Sequence, residues 1–416
     1  MAIKEFFEVP KRYKTWSFAL MGVGVLAVVL GFFVYGMGGD SAEDVHHKTR
    51  FWASLMYNSI YFLLVANAAM FFICATTLAW GGWAISFRRV SEAISALVIP
   101  LGAIAAVVLL AILFGGHKMT HIYHWTDHEA VAADPLLKGK SGFLNETFYA
   151  AWTILAIGLW AVLGRKMRQL SRAIDNDPLP NVEAARKYIW DNTVWAAVFI
   201  VWFALTVMST VPWLWLMSID AHWYSTMYSW YNFASTFVAG CALIGIFVVF
   251  MKNQGQLDYT NEEHLHDIGK FMFAFSIFWA YLWFSQYMLI WYANISEETV
   301  YFKSRIKDGP YSGIFWLSFI LNFLAPLLLL MRRGAKRNYT SITFLAIVIL
   351  FGHWLDFYQE VYASALKEHV ELGWLEFGVA AGFVGLIMYR FGVVMSKYPT
   401  VAKNHPFLKE SIIHHT

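Results

Sequence analysis

Long apolar stretches alternate with short polar connections along most of the 416-residue chain. A helix needs roughly 20 apolar residues to cross the hydrocarbon core of a bilayer. The pattern therefore predicts an all-α, polytopic integral membrane protein with ten transmembrane helices. The ten stretches lie at about 16–37, 51–78, 93–114, 145–163, 194–217, 229–251, 269–292, 313–331, 341–360 and 373–395.

The first stretch follows Lys4, Lys11, Arg12 and Lys14, a basic start that also occurs in secretory signal peptides. Its apolar run is about 20 residues, which is longer than the usual apolar region of a signal peptide, and no A-x-A motif follows it. We therefore expect a retained anchor helix.

The composition supports a membrane protein, because 59% of the residues are hydrophobic and only 14% are charged. A soluble domain is about 25% charged, so soluble enzymes and disordered chains are excluded. The net charge of +3 is too small to indicate a nucleic-acid partner. Cys74 and Cys241 both lie in apolar stretches, so we expect no disulfide framework, covalently bound heme or iron–sulfur cluster in this chain.

Basic residues are unevenly divided between the two sides of the membrane. The N-terminus, the even-numbered connections and the C-terminal part contain 22 of the 31 Lys and Arg residues, against 9 in the odd-numbered connections. The positive-inside rule then predicts that both termini are cytoplasmic. Nine of the 14 histidines lie on or near the predicted outer side.

Helices two to five and six to nine form two groups of four with the same predicted orientation. Their outer loops end similarly, with KGKSGF at 138–143 and KDGPYSGIF at 307–315. This favours two four-helix bundles with one flanking helix at each end of the chain, although turn chemistry alone would produce the same likeness. The predicted parts are an N-terminal segment with the first helix at 1–50, bundles at 51–217 and 218–360, and the tenth helix with a cytoplasmic tail at 361–416.

The ninth stretch contains three titratable residues, His353, Asp356 and Glu360. Charged groups are costly in hydrocarbon, so such residues are commonly functional. The spacing of three and four places them on one face of the helix. An imidazole one turn from a carboxylate can relay protons, or accept a proton from a quinol hydroxyl. The alternative is that they pair for packing or lie near water at the helix end.

Three further spans bring polar groups to their outer ends, which predicts a polar cavity open to the outer side. Each group has a simpler alternative: a solvated loop, a helix cap or an interfacial aromatic belt. His117 and His121 are four residues apart, but without a third ligand nearby we expect no metal site. The candidates for a quinone cavity or proton pathway in these spans are His121, Asp127, Asp220, His222, Ser225, Tyr281, Ser285 and Gln286.

The cytoplasmic start of the seventh helix contains His266, Asp267 and Lys270. These residues are candidates for proton uptake from the cytoplasm. The alternative is a solvated loop that begins a helix.

Several motifs resemble the NrfD/PsrC-like family of membrane subunits, most closely the second of the two quinone-binding-type subunits of bacterial alternative complex III. The resemblance runs from the third helix to about the end of the ninth, and includes His121, Trp125 and Asp127. The motifs that carry it are MSIDAHWYST at 217–226, HDIGKFMF at 266–273, LWFSQYMLIWYANISEE at 282–298 and ILFGHWLDF at 349–357.

The resemblance implies a subunit of a quinol:cytochrome c oxidoreductase in the bacterial inner membrane, without a redox cofactor of its own. It implies menaquinone or menaquinol as a non-covalent ligand, and a quinone-like cavity or a proton pathway in this subunit. The implied partners are multiheme and monoheme cytochrome c subunits, a large iron–sulfur subunit, a homologous NrfD-like subunit, small membrane subunits, lipid and a terminal oxidase. The motif positions carried over are His121, Asp127, Asp220, His222, Ser225, His266, Asp267, Gln286, His353 and Asp356.

A secondary transporter or channel is the alternative function. A duplicated helical bundle with a helix broken at Pro212 would also suit a transporter. Transporter sites usually lie at the bilayer midplane, whereas the polar residues here are predicted near the outer side, which favours the oxidoreductase subunit.

Overall fold

In a computed structural model, every regular secondary-structure element of the described residues is a helix, and these residues form no β-strand. The structure describes residues 6–39, 41–175, 177–306, 309–367 and 369–415, and the side chains of 117 and 118 lie outside it. Ten of its helical spans are long and apolar enough to cross a membrane, which confirms the predicted class. They are α1 (Lys11–Gly36), α2 (Ala42–Leu78), α3 (Gly82–Gly116), α4 (Glu146–Arg172), α5 (Val182–Asp220), α6 (Met227–Asn253), α7 (Glu262–Ala293), α8 (Ser312–Leu330), α9 (Tyr339–Ala365) and α10 (Trp374–Met395).

Successive spans run in opposite directions, so the start of α1 and the end of α10 lie on one side of the molecule. We call this the terminal side, and the other the opposite side. Short helices lie in the connections and the tail, at His128–Ala133, Pro135–Lys140, Ser296–Lys303, Arg333–Arg337 and Leu408–Ile412.

The spans form two four-helix bundles. In the first bundle α2 packs on α3, α3 on α4, α4 on α5 and α5 on α2; in the second, α6 to α9 close a ring in the same order. The bundles meet where α2 packs against α6, and a Cβ added to Gly240 of α6 would lie 2.7 Å from the Cβ of Ala68. Small residues allow such close crossings in membranes.

The two flanking helices come from opposite ends of the sequence but pack side by side. Gly378 and Gly382 of α10 form a GxxxG pair that faces Gly24 and Ala27 of α1. A Cβ on Gly382 would lie 2.7 Å from the Cα of Gly24, and one on Gly378 would lie 2.5 Å from the Cβ of Ala27. Backbone contact this close requires glycine, as in other GxxxG crossings.

We expect Gly382→Leu to separate α1 from α10 and to destabilise the protein by about 1–3 kcal/mol, because the added side chain overlaps the backbone of α1. Gly22→Leu is the matched control, since a Cβ there would meet nothing within 4 Å. Thermal unfolding of the purified protein in detergent measures both. Equal transition temperatures for the two variants would show that the crossing does not stabilise the fold.

Two of the spans are interrupted near prolines. A π-helical turn at Thr206–Thr210 precedes Pro212 in α5, and another at Ile320–Leu324 precedes Pro326 in α8. In α5 the hydroxyl of Ser229 donates to the carbonyl of Ser209 at 2.7 Å. A neighbouring helix thus satisfies a backbone group in the distorted segment, as irregular backbone in a membrane requires.

A buried ion pair joins α2 to α10. The Arg50 guanidinium donates from Nε and Nη2 to the two carboxylate oxygens of Glu376, at 2.9 and 3.0 Å. Tyr362 donates to the same carboxylate at 2.7 Å, and Arg50 also pairs with Glu371. Because Glu376 is fully buried, we expect these contacts to fix the position of α10.

Candidate functional site

His353, Asp356 and Glu360 are all buried and face α6 inside the second bundle. His353 lies about midway along α9, and the two carboxylates lie between it and the opposite side. Since α6 and α9 are antiparallel, the three residues meet three α6 side chains in reverse order. The pairs are His353 with Ser235, Asp356 with Tyr231, and Glu360 with Tyr228. We call these six residues the α6–α9 ladder.

The Asp356 carboxylate is held by three hydrogen-bond donors. Tyr231 donates to Oδ1 at 2.5 Å and the Gln359 amide donates to the same oxygen at 2.9 Å. The indole of Trp279 on α7 donates to Oδ2 at 3.2 Å. No Lys or Arg in the described part of the chain lies within 4 Å of this carboxylate, so its partners are neutral.

The His353 imidazole lies close to Asp356 but is not directly hydrogen-bonded to it. Its Nδ1 is 2.9 Å from the Ser235 hydroxyl and 4.0 Å from Oδ2 of Asp356. Its Nε2 is buried and has no hydrogen-bond partner within the described residues. The imidazole and the Trp279 ring form a T-shaped contact, with ring centroids 5.4 Å apart.

Glu360 is only partly satisfied. Its Oε2 accepts a hydrogen bond from Tyr228 at 2.5 Å, whereas Oε1 is buried and makes no hydrogen bond within 3.5 Å among the described groups, although the side chain of Asn232 on α6 also interacts with this carboxylate. A buried polar atom left unpaired costs about 1–3 kcal/mol. This weakly satisfied carboxylate lies at the end of the row nearest the cavity.

A polar cavity of about 670 Å³ lies on the opposite side, next to the C-terminal end of α9. Ala363 and Ser364 at the end of α9 line it and continue the face that carries Asp356 and Glu360, and Lys367, just after α9, lines it as well. Asp220, the last residue of α5, and His222, just after it, also line the cavity. Its volume is in the range of ligand-binding pockets.

A stacked layer of side chains separates the cavity from Glu360. The Tyr301 ring stacks on Trp223, with ring centroids 4.2 Å apart, and the guanidinium carbon of Arg305 lies 3.7 Å from the Tyr301 centroid. Arg305 is 2% exposed and donates to the Gln359 carbonyl and the Ser364 hydroxyl. Burial raises the pKa of the Tyr301 phenol above its ordinary value, so this phenol stays protonated.

The wall of the cavity beyond α9 contains a carboxylate–imidazole pair. His222 Nε2 lies 2.6 Å from Oδ2 of Asp134, whose side chain also caps the short helix Pro135–Lys140. The hydrogen bond with His222 holds the pKa of Asp134 below its ordinary value. This pair places an ionised carboxylate at the water-exposed part of the cavity.

Other predicted residues of this side lie around the cavity without forming its wall. His121 is half-buried with a left-handed backbone (φ +53), and His124 lines the cavity in its place. Asp127 caps the helix His128–Ala133 by accepting from the Glu129 and Ala130 amides. Ser225 is partly buried, and its amide contacts the sulfur of Met217. The side chain of His117, considered above as a metal ligand, lies outside the described residues.

The residues of α7 that the sequence predicted for the cavity do not contact the ladder. Tyr281 is 61% exposed on the outer surface of the bundle, and Ser285 is only partly buried. Gln286 is buried, with its amide nitrogen unpaired among the described groups. The α7 side chain that reaches the ladder is Trp279, which lies on another face of the helix from Tyr281.

The three residues predicted for proton uptake lie close together on the terminal side. Asp267 is buried, and Lys270 donates to its Oδ1 at 2.7 Å, while Nδ1 of His266 lies 3.9 Å from the same oxygen. His414, from the C-terminal tail, lies 2.6 Å from Oδ2. This Asp267 cluster is about 18 Å from Trp279 along α7, at 1.5 Å per residue. Ser276 lies between them, with a buried hydroxyl that has no partner in the described part of the chain.

Sequence reasoning missed the α6 half of the ladder. Tyr228, Tyr231 and Ser235 are spaced by three and four residues, which mirrors the spacing in α9, and this periodicity was the available signal. Arg305 and His414 had no such signal, because both lie outside the spans and reach their partners only through the folded loop and tail.

The ladder and cavity together form a row of groups that can hold and pass protons. Asp356 and Glu360 each accept a hydrogen bond from a phenol at 2.5 Å, the length of a charge-assisted hydrogen bond. Arg305 and Tyr301 lie between this row and the water-accessible cavity. Neither a protein-family model nor a curated protein matches this sequence, so the family resemblance stays a prediction that its motifs carry.

Proposed function

We propose that this chain is a membrane subunit of a bacterial quinol:electron-acceptor oxidoreductase of the alternative complex III type, and that its second bundle contributes a proton pathway beside a quinone-binding cavity. The observation that carries the proposal is the α6–α9 ladder. It holds two carboxylates and an imidazole away from water with neutral partners, and it ends beneath a polar cavity. Intramembrane ionisable residues of this kind are typical of proton relays.

The proposed pathway follows one face of α9. A proton released in the cavity, or taken from it, would pass Tyr301 and Arg305 to reach Glu360. Tyr228 and Tyr231 on α6 donate hydrogen bonds to the carboxylates of Glu360 and Asp356 and hold them in place on α9. His353 is the innermost titratable member of the row and is within 4.0 Å of Asp356.

The cavity is the proposed place for a quinol headgroup. Ser364 and His222 offer hydrogen-bonding groups, and Tyr301 contributes an aromatic side chain to the lining. The chain itself is proposed to hold no heme or iron–sulfur cluster, so cytochrome c and iron–sulfur subunits would accept the electrons. A homologous NrfD-like subunit and the small membrane subunits are proposed neighbours within the bilayer.

The proposed orientation places the terminal side in the cytoplasm and the cavity on the periplasmic side of the inner membrane. Its support is the excess of Lys and Arg on the terminal side.

A proton-coupled secondary transporter is the second candidate. The observation that favours it is the pair of π-helical interruptions in α5 and α8, together with a titratable residue, His353, near the middle of α9. Broken helices around a midplane site are typical of such transporters.

A structure of the assembled complex tests where quinol is oxidised. We expect a heme or iron–sulfur cluster of a partner subunit within electron-tunnelling distance of the cavity. A complex in which every redox cofactor lies far from the cavity would exclude quinol oxidation at this chain.

A further inference from the structure

The C-terminal tail runs back across the terminal side and touches both bundles. Asn404 donates to the carbonyl of Ile174 at 2.7 Å, beside the end of α4. His405 is buried against Tyr188 of α5. Burial and the nearby charges of Arg88 and Arg89 lower the pKa of His405 to about 3, so this imidazole is neutral and serves as an anchor.

The short helix Leu408–Ile412 then docks on the first residues of α3. Ser411 is fully buried; its hydroxyl donates to the carbonyl of Trp83 at 2.7 Å and accepts from the amide of Ser86 at 3.1 Å. The same hydroxyl lies 3.2 Å from Nε2 of His264 on α7. Glu410 packs against Gly82, where a Cβ would lie 2.5 Å from the carboxylate. The path of the tail is therefore fixed up to the residues just before His414.

His414 is placed over Asp267 by these anchors. Its Nε2 is 2.6 Å from Oδ2 of Asp267, its ring lies 5.4 Å from that of His264, and Asn261 donates to its carbonyl. The His414 side chain is 18% exposed and that of Asp267 is 10% exposed. His414 thus reaches both water and the carboxylate.

We propose that the C-terminal tail supplies His414 as the residue that exchanges protons between water and Asp267 on the terminal side. This inference rests on the proposed proton-handling function and adds to it a residue from a separate part of the chain, 147 positions from Asp267. Imidazole is the side chain best suited to gain and lose a proton near neutral pH. Lys270 occupies the other oxygen of Asp267, so His414 holds the oxygen that remains.

Several other charged or titratable groups surround His414 and Asp267. Protonated His414 would be held by Asp267, and after it transfers its proton it would be neutral beside the neutralised carboxylate. The other titratable or charged groups that face the cluster are Glu263, His264, His266 and Lys270 on α7, Lys252 at the end of α6, and Lys336 and Arg337 after α8.

The test is His414→Gln in the full chain within the complex isolated from its membrane. Glutamine keeps a hydrogen-bond donor towards Asp267 but cannot be protonated. We expect proton-coupled quinol turnover to fall about 100-fold, the lower end of what a positioned acid–base group contributes. Added imidazole should restore turnover, in proportion to the amount of protonated imidazole present. The matched control is His415→Gln, a change at the exposed neighbouring histidine, which should leave turnover unchanged.

Three outcomes decide the role of His414. Loss of turnover with rescue by imidazole supports it. Unchanged turnover in His414→Gln, or a loss that imidazole does not restore and that is accompanied by a lower transition temperature, overturns it. If His414→Gln leaves turnover unchanged while substitutions in the ladder still lower it, only the role of His414 is disproved. If neither His414→Gln nor the ladder substitutions change turnover, the proposed proton-handling function is disproved as well.

Discussion

Asp356→Asn is expected to lower quinol-dependent turnover about 100-fold, or to reduce the number of protons moved per quinol, without preventing assembly. Asparagine has nearly the same shape, so the fold should be retained and the bond from Tyr231 can still form. It cannot take up a proton, however, and the amide nitrogen that replaces Oδ2 cannot accept from Trp279. The intact complex in proteoliposomes allows turnover and proton movement to be measured on the same sample.

Two further variants make this result specific. His353→Ala should impair the same two quantities, because it removes the neighbouring titratable group of the ladder. Glu129→Gln is the control, since it removes an exposed carboxylate from the same side of the molecule. Wild-type turnover and proton stoichiometry in both Asp356→Asn and His353→Ala would disprove the assignment of this pair.

Arg50→Met is expected to give the largest loss of stability, about 3–5 kcal/mol, because it leaves the fully buried Glu376 carboxylate without its counter-charge. The change should loosen α10 from α2 and lower the transition temperature in detergent. Tyr362 and the amide of Gly373 would still donate to Glu376, but neither supplies a positive charge.

The neighbouring residues supply controls for this loss. Glu371 pairs with the same arginine but its side chain is 29% exposed, so Glu371→Gln should cost no more than about 1 kcal/mol. The double variant Arg50→Met with Glu376→Leu should recover much of the stability, because no unpaired charge then remains buried. If Arg50→Met unfolds at the same temperature as Glu371→Gln, the ion pair does not fix α10.

The ten spans could be predicted from the sequence because the length of an apolar stretch is set by the thickness of the bilayer. The face shared by His353, Asp356 and Glu360 followed from helical spacing alone. Which residues they would meet did not follow, because this depends on how α6 is rotated about its own axis, and packing of the whole bundle sets that rotation. Tyr228 and Tyr231 therefore became evident only in the folded chain.

Helix rotation and chain connectivity also explain the mixed outcome around the cavity. Tyr281 and Ser285 have suitable chemistry, but α7 turns Tyr281 outward and presents Trp279 to the ladder. Asp220 and His222 do line the cavity, because one ends α5 and the other lies just after it, on the side where this span ends. Arg305 and His414 depend on contacts between distant segments, which local patterns do not contain.

Purification of this chain from its native membrane, followed by an absorption spectrum and a quinol:acceptor assay, is the most direct test of the proposed function. We expect c-type cytochromes and an iron–sulfur protein to be isolated with it, and the isolated complex to reduce an acceptor when quinol is added. A stable protein that carries no redox partner and takes up a solute when reconstituted alone would contradict this assignment and establish a transporter instead.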